Sequence, residues 1–373
     1  MPKKSTKPAP TDESQFFVKE LAGENPPSFA TLKRLYAVAT QLYHLAPWRV
    51  WTEDKLVLIR DSASGEMCYC SVMGQLGACL GMHAYIGDES YRTFLRLQNG
   101  EQVSPGEFLA SQHTVYVDFV PMKELNSQDH QLLKALGHPR GAQVGPEFRV
   151  IRRGHHPWFL TEEEAQLLAQ CVRTVAMIYM MVSKQPEVEF WPSKNVYPFV
   201  LDMEVVKVGK ELTEERCRIQ PTEMPMPPEK PPTFFMPDNK TLQNLTKGDH
   251  RMGGVLELDH FLTGMVVGKK DERKACVCLA MAADAKTGVV FRPEVAPPGM
   301  TPSEALVKAL LNAIQDYRGI PQEVRVKNTF SKKSIEPISR ICGFSVKVLK
   351  ALPALDRART EMLRAMGSRG GLF

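Results

Sequence analysis

Apolar residues recur along the chain with two periods, and these periods predict its helices and strands. Between residues 26 and 45, apolar residues follow one another at helical spacing behind Ser28, a residue type that often caps helix N-termini. Residues 55–74 instead form two strand-like runs around a turn that contains Gly65, which predicts a hairpin. Further elements are predicted in the order strand 81–87, helix 88–98, strand 113–120, helix 126–137, strand 148–160, helix 161–184 and strand 196–208.

Together these elements predict an α+β domain at residues 26–220, in which an antiparallel sheet carries helices on one side. The strongest helix signal begins at Thr161, because Thr161 and Glu164 have the spacing of a capping box and an apolar periodic run follows them to about Lys184. That run contains polar residues and is shorter than a membrane-spanning segment, so it predicts a buried helix.

Two stretches lack this periodicity. Residues 1–25 begin with lysines, prolines and serines and predict a disordered, solvated tail. Residues 221–250 are dense in proline, which cannot continue a helix or donate a hydrogen bond within a central strand. They predict an extended linker, and therefore a boundary between two domains.

Residues 251–373 return to a regular succession of elements, with Thr301 and Glu304 at the spacing of a second capping box. The predicted elements are strands at 255–262, 275–284 and 289–297, a helix at 301–317, a strand at 323–328, a helix ending at Gly343, a strand at 344–350 and a last helix. The order β-β-β-α-β-α-β-α predicts an α/β domain.

Charge is divided unevenly between the two parts of the chain. The net charge is +5, but residues 251–373 hold 20 lysines and arginines against 12 acidic residues, an excess of eight. Residues 1–250 have the opposite balance, with 27 basic and 30 acidic residues. A nucleic acid is therefore a candidate partner, and the basic C-terminal part is where it would bind.

Several function classes lack their sequence signatures. No stretch matches a P-loop, a dinucleotide-binding glycine motif or a nucleophile elbow. The eight cysteines include two pairs, Cys68/Cys70 and Cys276/Cys278, but neither has a second half at zinc-site spacing, so we expect reduced thiols. No secretory signal or membrane-spanning run is present. We expect a cytoplasmic protein with no cofactor and no membrane association.

Asp259 is the carboxylate whose position most suggests chemistry. Alternation along its strand places Asp259 with Glu257 on the face opposite Leu256 and Leu258, so Asp259 need not lie in the core.

Asp284 begins an Asp-x-x-Thr-Gly turn. The same pattern, with Ser in place of Thr, begins at Asp61 between two other strand-like runs. Because an Asp in such a turn accepts hydrogen bonds from nearby backbone N–H groups, we expect Asp284 to be structural.

The C-terminal part resembles the ribonuclease H-like core of transposases and retroviral-type integrases. The residues that carry the resemblance are the strand "LELDHF", the following "LAMAADAKTGVVF" and the later "IPQEVRVKNTF". The whole chain also resembles a bacterial family known only for its domains of unknown function, in the segments "LYHLAPWRVW", "SVMGQLGA", "HHPWFLTEEEA", "DAKTGVV" and "ALPALDRAR".

The integrase resemblance implies a site of converging carboxylates that clamp Mg²⁺ or Mn²⁺. Asp259 would fill the first position and either Asp356 or Glu361, on the last helix, the third. The second position holds Lys327 and Asn328, where a lysine repels a cation and an amide lacks the charge that holds one. The resemblance therefore implies a degenerate site.

Two hypotheses follow for function. The first is a non-catalytic binding or interaction scaffold with a degenerate ribonuclease H-like domain, associated with nucleic acid through its basic C-terminal part. The second is a nuclease that uses Mg²⁺ or Mn²⁺, bound by Asp259 with Asp356 or Glu361. The first needs no metal, whereas the second requires one.

Overall fold

The structure is a computed structural model of the chain, and it divides into two compact units. Unit 1 comprises Met1–Pro228 and Gly268–Lys274, and unit 2 comprises Glu229–Val267 and Ala275–Phe373. The structure describes residues 16–77, 79–103, 105–185, 188–208, 212–229, 231–247, 251–268, 272–297 and 299–367.

Unit 1 is built around one large sheet. Its elements are α1 (Phe29–Leu45), β1 (Val57–Arg60), β2 (Met67–Met73), β3 (Gly81–Ile86), α2 (Gly87–Gln98), α3 (Pro105–Ser111), β4 (Thr114–Pro121), α4 (Ser127–Ala135), β5 (Val144–Ile151), α5 (Glu162–Lys184), β6 (Val196–Val208) and β7 (Leu212–Glu223). The seven strands lie in the order β5-β4-β3-β2-β1-β6-β7. All neighbours are antiparallel except β1 and β6, which are parallel.

Both faces of this sheet are covered by helices, so the prediction of helices on one side is wrong. Val57 and Ile59 of β1 belong to the larger core, which the apolar stripes of α1 and α5 complete. Leu58, between them, faces the opposite way and packs in a second core with Tyr91 and Phe94 of α2. Helix α2 has a strong apolar face of its own, which requires a second partner surface.

Helix α5 is the central helix of unit 1. Its N-terminus has a complete capping box, in which the Thr161 hydroxyl accepts from the Glu164 N–H and the Glu164 carboxylate accepts from the Thr161 N–H. It is the one helix in the described part of the chain that is long and apolar enough to cross a membrane. More than half of its most apolar window is buried, as in the core helix of a soluble protein.

The predicted disordered tail, residues 1–25, is too long. Phe17 and Leu21 are buried in the core of unit 1, and the Trp158 indole donates to the Glu20 carbonyl at 2.7 Å. Residues 16–25 are therefore part of the fold, because the burial of their apolar side chains offsets the conformational entropy that is lost when the segment becomes ordered. Residues 1–15 lie outside the described residues.

Unit 2 contains a smaller mixed sheet. Its elements are α6 (Asn239–Lys247), β8 (Arg251–Met252), β9 (Val255–Val267), β10 (Ala275–Asp284), β11 (Glu294–Ala296), α7 (Pro302–Tyr317), β12 (Gly319–Ile320), β13 (Glu323–Val326), α8 (Thr329–Cys342), β14 (Ser345–Val348) and α9 (Pro353–Gly367). Five strands lie in the order β11-β10-β9-β13-β14, and β8 pairs with β12 separately. β9, β10 and β11 are antiparallel, whereas β13 runs parallel to both β9 and β14.

The predicted linker, residues 221–250, contains regular structure. Strand β7 continues to Glu223, and α6 begins behind Asp238, whose carboxylate accepts from the Thr241 N–H at 2.7 Å. Leu242 and Leu245 of α6 pack against the core of unit 2. The prediction of an extended linker over the whole of 221–250 is therefore wrong. Proline is dense at 221–237, and the helix that follows is short, with an apolar face that rests on two leucines, so its sequence signal was weak.

Candidate functional site

Asp259 lies on a strand that is covered on both faces. On one face, Leu256 and Leu258 of β9 pack in the core formed with α7 and α8. On the other, α9 packs over β10, and Asp259 is only 8% exposed. The expectation that Asp259 need not lie in the core is therefore wrong, because the polar face of β9 is not a solvent face.

The register of two parallel strands brings Lys327 beside Asp259. Arg325 of β13 pairs with Glu257 of β9, and both chains advance two residues from there, to Lys327 and Asp259. The Lys327 ammonium lies 3.6 Å from Asp259 Oδ2. It also donates to Asp356 Oδ1 of α9 at 2.7 Å. One ammonium thus stands between two of the predicted site carboxylates.

Asp356 has a hydrogen bond on each of its carboxylate oxygens. Oδ1 accepts from Lys327, and Oδ2 accepts from the Leu352 N–H at 3.1 Å. The second bond satisfies one of the N–H groups that the first turn of a helix leaves without an intrahelical partner. Asp356 is therefore engaged both in an ion pair and in capping α9.

Glu257 completes the N-terminus of α9 from a distant part of the chain. Its Oε2 accepts from the Ala354 N–H at 2.8 Å and from the Leu355 N–H at 3.0 Å, and the residue is 1% exposed. A carboxylate is favoured here because the helix dipole places partial positive charge at this end. Glu257 is a third carboxylate of the cluster, and its role is to cap the N-terminus of α9 rather than to bind a ligand.

Asn328 and Glu361 do not join this cluster. Asn328 is the N-cap of α8, where its Oδ1 accepts from the Ser331 N–H at 2.8 Å. Glu361 lies on α9 five residues beyond Asp356, which at 3.6 residues per turn rotates it away from the Asp356 side, and it is exposed. Of the four residues proposed for the site, the structure brings together only Asp259 and Asp356.

Asp284 occupies the predicted turn. Its Oδ1 accepts from the Lys286 and Thr287 N–H groups at 3.1 and 2.7 Å and from the Thr287 hydroxyl at 2.8 Å. The Asp61 carboxylate makes the equivalent bonds with Ala63 and Ser64 in unit 1. Gly288 and Gly65 close the two turns at positive φ. The repeated geometry shows that both aspartates stabilise hairpin turns.

The two aspartates beside Lys327 differ in their electrostatics. Burial raises the pKa of Asp259, and the more distant Lys327 ammonium offsets this only in part. The closer hydrogen bond from Lys327 lowers the pKa of Asp356, which is also more exposed. Nearby, the Arg359 guanidinium lies 4.6 Å from the centre of the Phe261 ring. The cluster therefore already contains its own cations.

The sequence held a signal for Glu257 that the prediction missed. Leu352 precedes α9, and leucine cannot cap a helix with its side chain. A buried helix start without a local cap needs an acceptor from elsewhere in the chain. An acidic residue inside an otherwise apolar strand, as at Glu257, was the candidate acceptor.

Two family models match the chain in succession. Residues 33–198 match the family described as "Domain of unknown function (DUF7309)", and residues 241–363 match "Domain of unknown function (DUF6930)". No curated protein sequence matches the chain. Among solved structures, the catalytic core domain of BIV integrase is similar at 13% identity over 31% of this chain and 70% of that one, with a TM-score of 0.24. The two halves of the chain are thus similar to two families of domains of unknown function.

Proposed function

We propose that unit 2 is a ribonuclease H-like domain whose metal site has become an ion-pair network, and that the protein is a non-catalytic, cytoplasmic binding scaffold for nucleic acid. The order β11-β10-β9-β13-β14 supports the fold assignment, since it combines three antiparallel strands with two parallel strands beside the first. That is the arrangement of ribonuclease H-like folds, with β9 as their first strand.

The position of Lys327 is the observation that carries the proposal. A catalytic Mg²⁺ or Mn²⁺ would need to approach both Asp259 and Asp356, but the ammonium lies 3.6 and 2.7 Å from their oxygens. Two positive charges at such distances repel each other, and solvent screens this repulsion least beside the buried Asp259. The other Asp356 oxygen accepts a hydrogen bond from the Leu352 N–H, just before α9, so a metal would have to break this cap of the helix as well.

A cleavage assay distinguishes this proposal from the nuclease alternative. The full chain is incubated with single- and double-stranded DNA and RNA in Mg²⁺ or Mn²⁺, beside Asp259→Asn and the exposed control Glu229→Gln, which lies outside the candidate site. We expect no cleavage by any of the three. Metal-dependent cleavage that Asp259→Asn abolishes and Glu229→Gln retains would overturn the non-catalytic assignment.

Binding is tested separately, through its dependence on salt. Lys332 and Lys333 are the fourth and fifth residues of α8, near the helix N-terminus, where the helix dipole also attracts phosphate. We expect the affinity for DNA or RNA to fall steeply with salt, and Lys332→Ala/Lys333→Ala to weaken binding and reduce the slope by about 1–2 in log–log terms. The control is Lys33→Ala/Lys134→Ala, two exposed lysines of the acidic part. Absent or salt-independent binding would remove nucleic acid as the partner.

A further inference from the structure

Three side chains of different chemistry converge in unit 1, at one end of strand β3. They are Cys79, in the segment before β3, His83 on β3 and Asp118 on the neighbouring β4. One donor atom from each, the thiol sulfur, an imidazole nitrogen and a carboxylate oxygen, lies within 4.8 Å of the other two. Among the described residues this is the group with the composition and spacing of a metal site.

The β3–β4 ladder fixes two of the three ligands. His83 pairs with Tyr116 and Gly81 pairs with Asp118, so His83 and Asp118 are diagonal neighbours on one face of the sheet. His83 Nε2 lies 2.9 Å from Asp118 Oδ1, and both side chains are less than one-fifth exposed. Strand positions of this kind hold ligands more precisely than loops do.

Gly81 leaves the space that Asp118 occupies. A Cβ at this position would collide with the Asp118 carboxylate and with the Val117 carbonyl. Any larger residue would therefore displace Asp118 from His83. The third member, Cys79, lies two residues before Gly81 and is exposed, unlike the buried Cys68, Cys70 and Cys171 of the same unit.

The donor set selects the kind of metal. Thiolate and imidazole donors favour borderline and soft ions, whereas Mg²⁺ and Ca²⁺ take oxygen ligands. Zn²⁺ accepts sulfur, nitrogen and carboxylate oxygen together in a tetrahedral shell. Three protein ligands leave its fourth position for water or another molecule, and the exposure of Cys79 gives that position access to solvent.

We propose that Cys79, His83 and Asp118 form a Zn²⁺ site with one open coordination position. This site shares no residue with the ion-pair cluster in unit 2. It adds a metal-binding site in unit 1 to the nucleic-acid binding proposed above for the basic C-terminal part. Binding deprotonates the Cys79 thiol, whose proton passes to solvent, while the imidazole binds in its neutral form. The sequence contained half of this signal in the Cys79-x3-His83 spacing, but Asp118 joins it only through the sheet.

Cobalt substitution tests the site directly, because a thiolate bound to Co²⁺ gives a charge-transfer absorption band in the near ultraviolet. The full chain, freed of metal with a chelator, is titrated with Co²⁺ and then with Zn²⁺. We expect one equivalent of Co²⁺ to produce the band and Zn²⁺ to displace it. Cys79→Ser should abolish the band, and Cys342→Ser, which changes a half-exposed cysteine of unit 2, should retain it.

Zinc affinity gives a second measure. His83→Gln and Asp118→Asn should each weaken Zn²⁺ binding, measured by competition with a chromophoric chelator, by at least about 10-fold. An unchanged affinity in both variants, or a charge-transfer band that survives Cys79→Ser, would overturn the proposal and leave His83 and Asp118 as an ordinary ion pair.

If Cys79→Ser does not fold, the rate at which Cys79 is alkylated in the unmodified chain provides a test that needs no variant. Zn²⁺ should slow the reaction of Cys79 with iodoacetamide in the unmodified chain, followed by mass spectrometry of the peptides, and leave the rate at Cys342 unchanged. Equal rates at Cys79 with and without Zn²⁺ would show that the thiol binds no metal.

Discussion

Lys327 is the residue that decides the chemistry of the β9–β13–α9 cluster. Its ammonium donates to Asp356 and lies beside Asp259, so it occupies the space between two carboxylates. Replacing it by Glu would exchange the cation for another carboxylate beside Asp259 and Asp356, and carboxylate oxygen is the ligand type that Mn²⁺ prefers. We expect Lys327→Glu to gain Mn²⁺ binding with a dissociation constant on the order of 10⁻⁴–10⁻³ M, measured by the paramagnetic resonance of free Mn²⁺.

The control for this variant is Lys350→Glu, which makes the same charge change at an exposed position between β14 and α9. It should bind Mn²⁺ no better than the unmodified chain. Equal gains in both variants would show that general negative charge, rather than the cluster, attracts the metal.

The pKa shifts of Asp259 and Asp356 predict opposite effects of pH on stability. Burial raises the pKa of Asp259, so its ionised form destabilises the fold above that pKa, and the deficit disappears as the pH falls towards about 3.9. The Lys327 hydrogen bond lowers the pKa of Asp356, so its ionised form stabilises the fold above about pH 3.9, and this is lost as the pH falls through the lowered pKa.

At pH 7, Asp259→Asn should therefore stabilise the chain and Asp356→Asn should destabilise it, each within about 1 kcal/mol because solvent screens part of the interaction. As the pH falls, the Asp259→Asn difference should disappear by about pH 4, whereas the Asp356→Asn difference should shrink only below about pH 4. The measurement is urea unfolding followed by far-ultraviolet circular dichroism, since all four tryptophans lie in unit 1. Changes of the same sign in the two variants at pH 7 would contradict these assignments.

Glu257 should contribute more to stability than any other acidic residue of this cluster. It is buried and accepts two backbone N–H groups at the start of α9. Glu257→Gln keeps its shape but removes the charge that strengthens both hydrogen bonds, so we expect a loss of about 1–2 kcal/mol in the free energy of unfolding. Glu361→Gln, an exposed change on the same helix, should stay within about 0.5 kcal/mol. Equal effects would mean that Glu257 does not cap α9.

The sequence could predict part of this cluster because periodicity is local information. Alternation along β9 correctly placed Asp259 and Glu257 together, opposite Leu256 and Leu258. It could not show that α9 covers their face, because the position of a helix 90 residues later depends on packing across the whole unit. The sequence predicted that Lys327 would repel a cation at this position, but it did not predict the ion pairs of Lys327 with Asp259 and Asp356, since the register between β9 and β13 is a tertiary property.

At the scale of elements, the two predicted capping boxes differ. Glu164 reaches back to the Thr161 N–H and also pairs with Arg152 at 2.7 Å. Glu304 instead pairs with Lys308 one turn ahead at 2.8 Å, so only the Thr301 half of the second box is present. The pattern S/T-x-x-E predicted both helix starts, but the choice of partner for the glutamate depends on the next turn of the helix.

This difference predicts unequal costs of the same substitution. Glu164→Ala should lower the free energy of unfolding of unit 1, followed by tryptophan fluorescence, by about 1–2 kcal/mol, through the lost cap and the lost pair with Arg152. Glu304→Ala removes only an exposed i,i+4 pair and should cost about 0.5 kcal/mol or less, followed by circular dichroism. A larger effect at Glu304 would contradict the hydrogen bonding described for the two boxes.

Element order was the most predictable part of the fold. The sequence predicted β-β-β-α-β-α-β-α for the C-terminal part, and the five-stranded sheet and its helices follow that order. The short strand β11, which covers only Glu294–Ala296 of the predicted 289–297, shows the limit of such patterns. An apolar run can predict that a strand is present, but the length of the strand depends on how many of its residues pair with β10.

For the whole molecule, the division between the units falls between Pro228 and Glu229, inside the predicted linker at 221–250. Residues 229–250 therefore lie within unit 2. Leu245 of α6 is 9% exposed in the core of that unit, and Ser303 accepts a hydrogen bond from the Phe235 N–H at 3.0 Å. A domain that began at residue 251 would lack both contacts.

This assignment predicts different stabilities for two C-terminal fragments. A fragment of residues 229–373 should fold, with a cooperative urea transition by circular dichroism, whereas one of residues 251–373 should be less stable by about 2–5 kcal/mol because it loses the packing of Leu242 and Leu245. In the full chain, Leu245→Ala should reproduce a loss of about 2–3 kcal/mol, whereas the exposed change Lys240→Ala on the same helix should cost about 0.5 kcal/mol or less. Equal stability of the two fragments, together with a neutral Leu245→Ala, would restore the boundary at residue 251 and make α6 part of a linker.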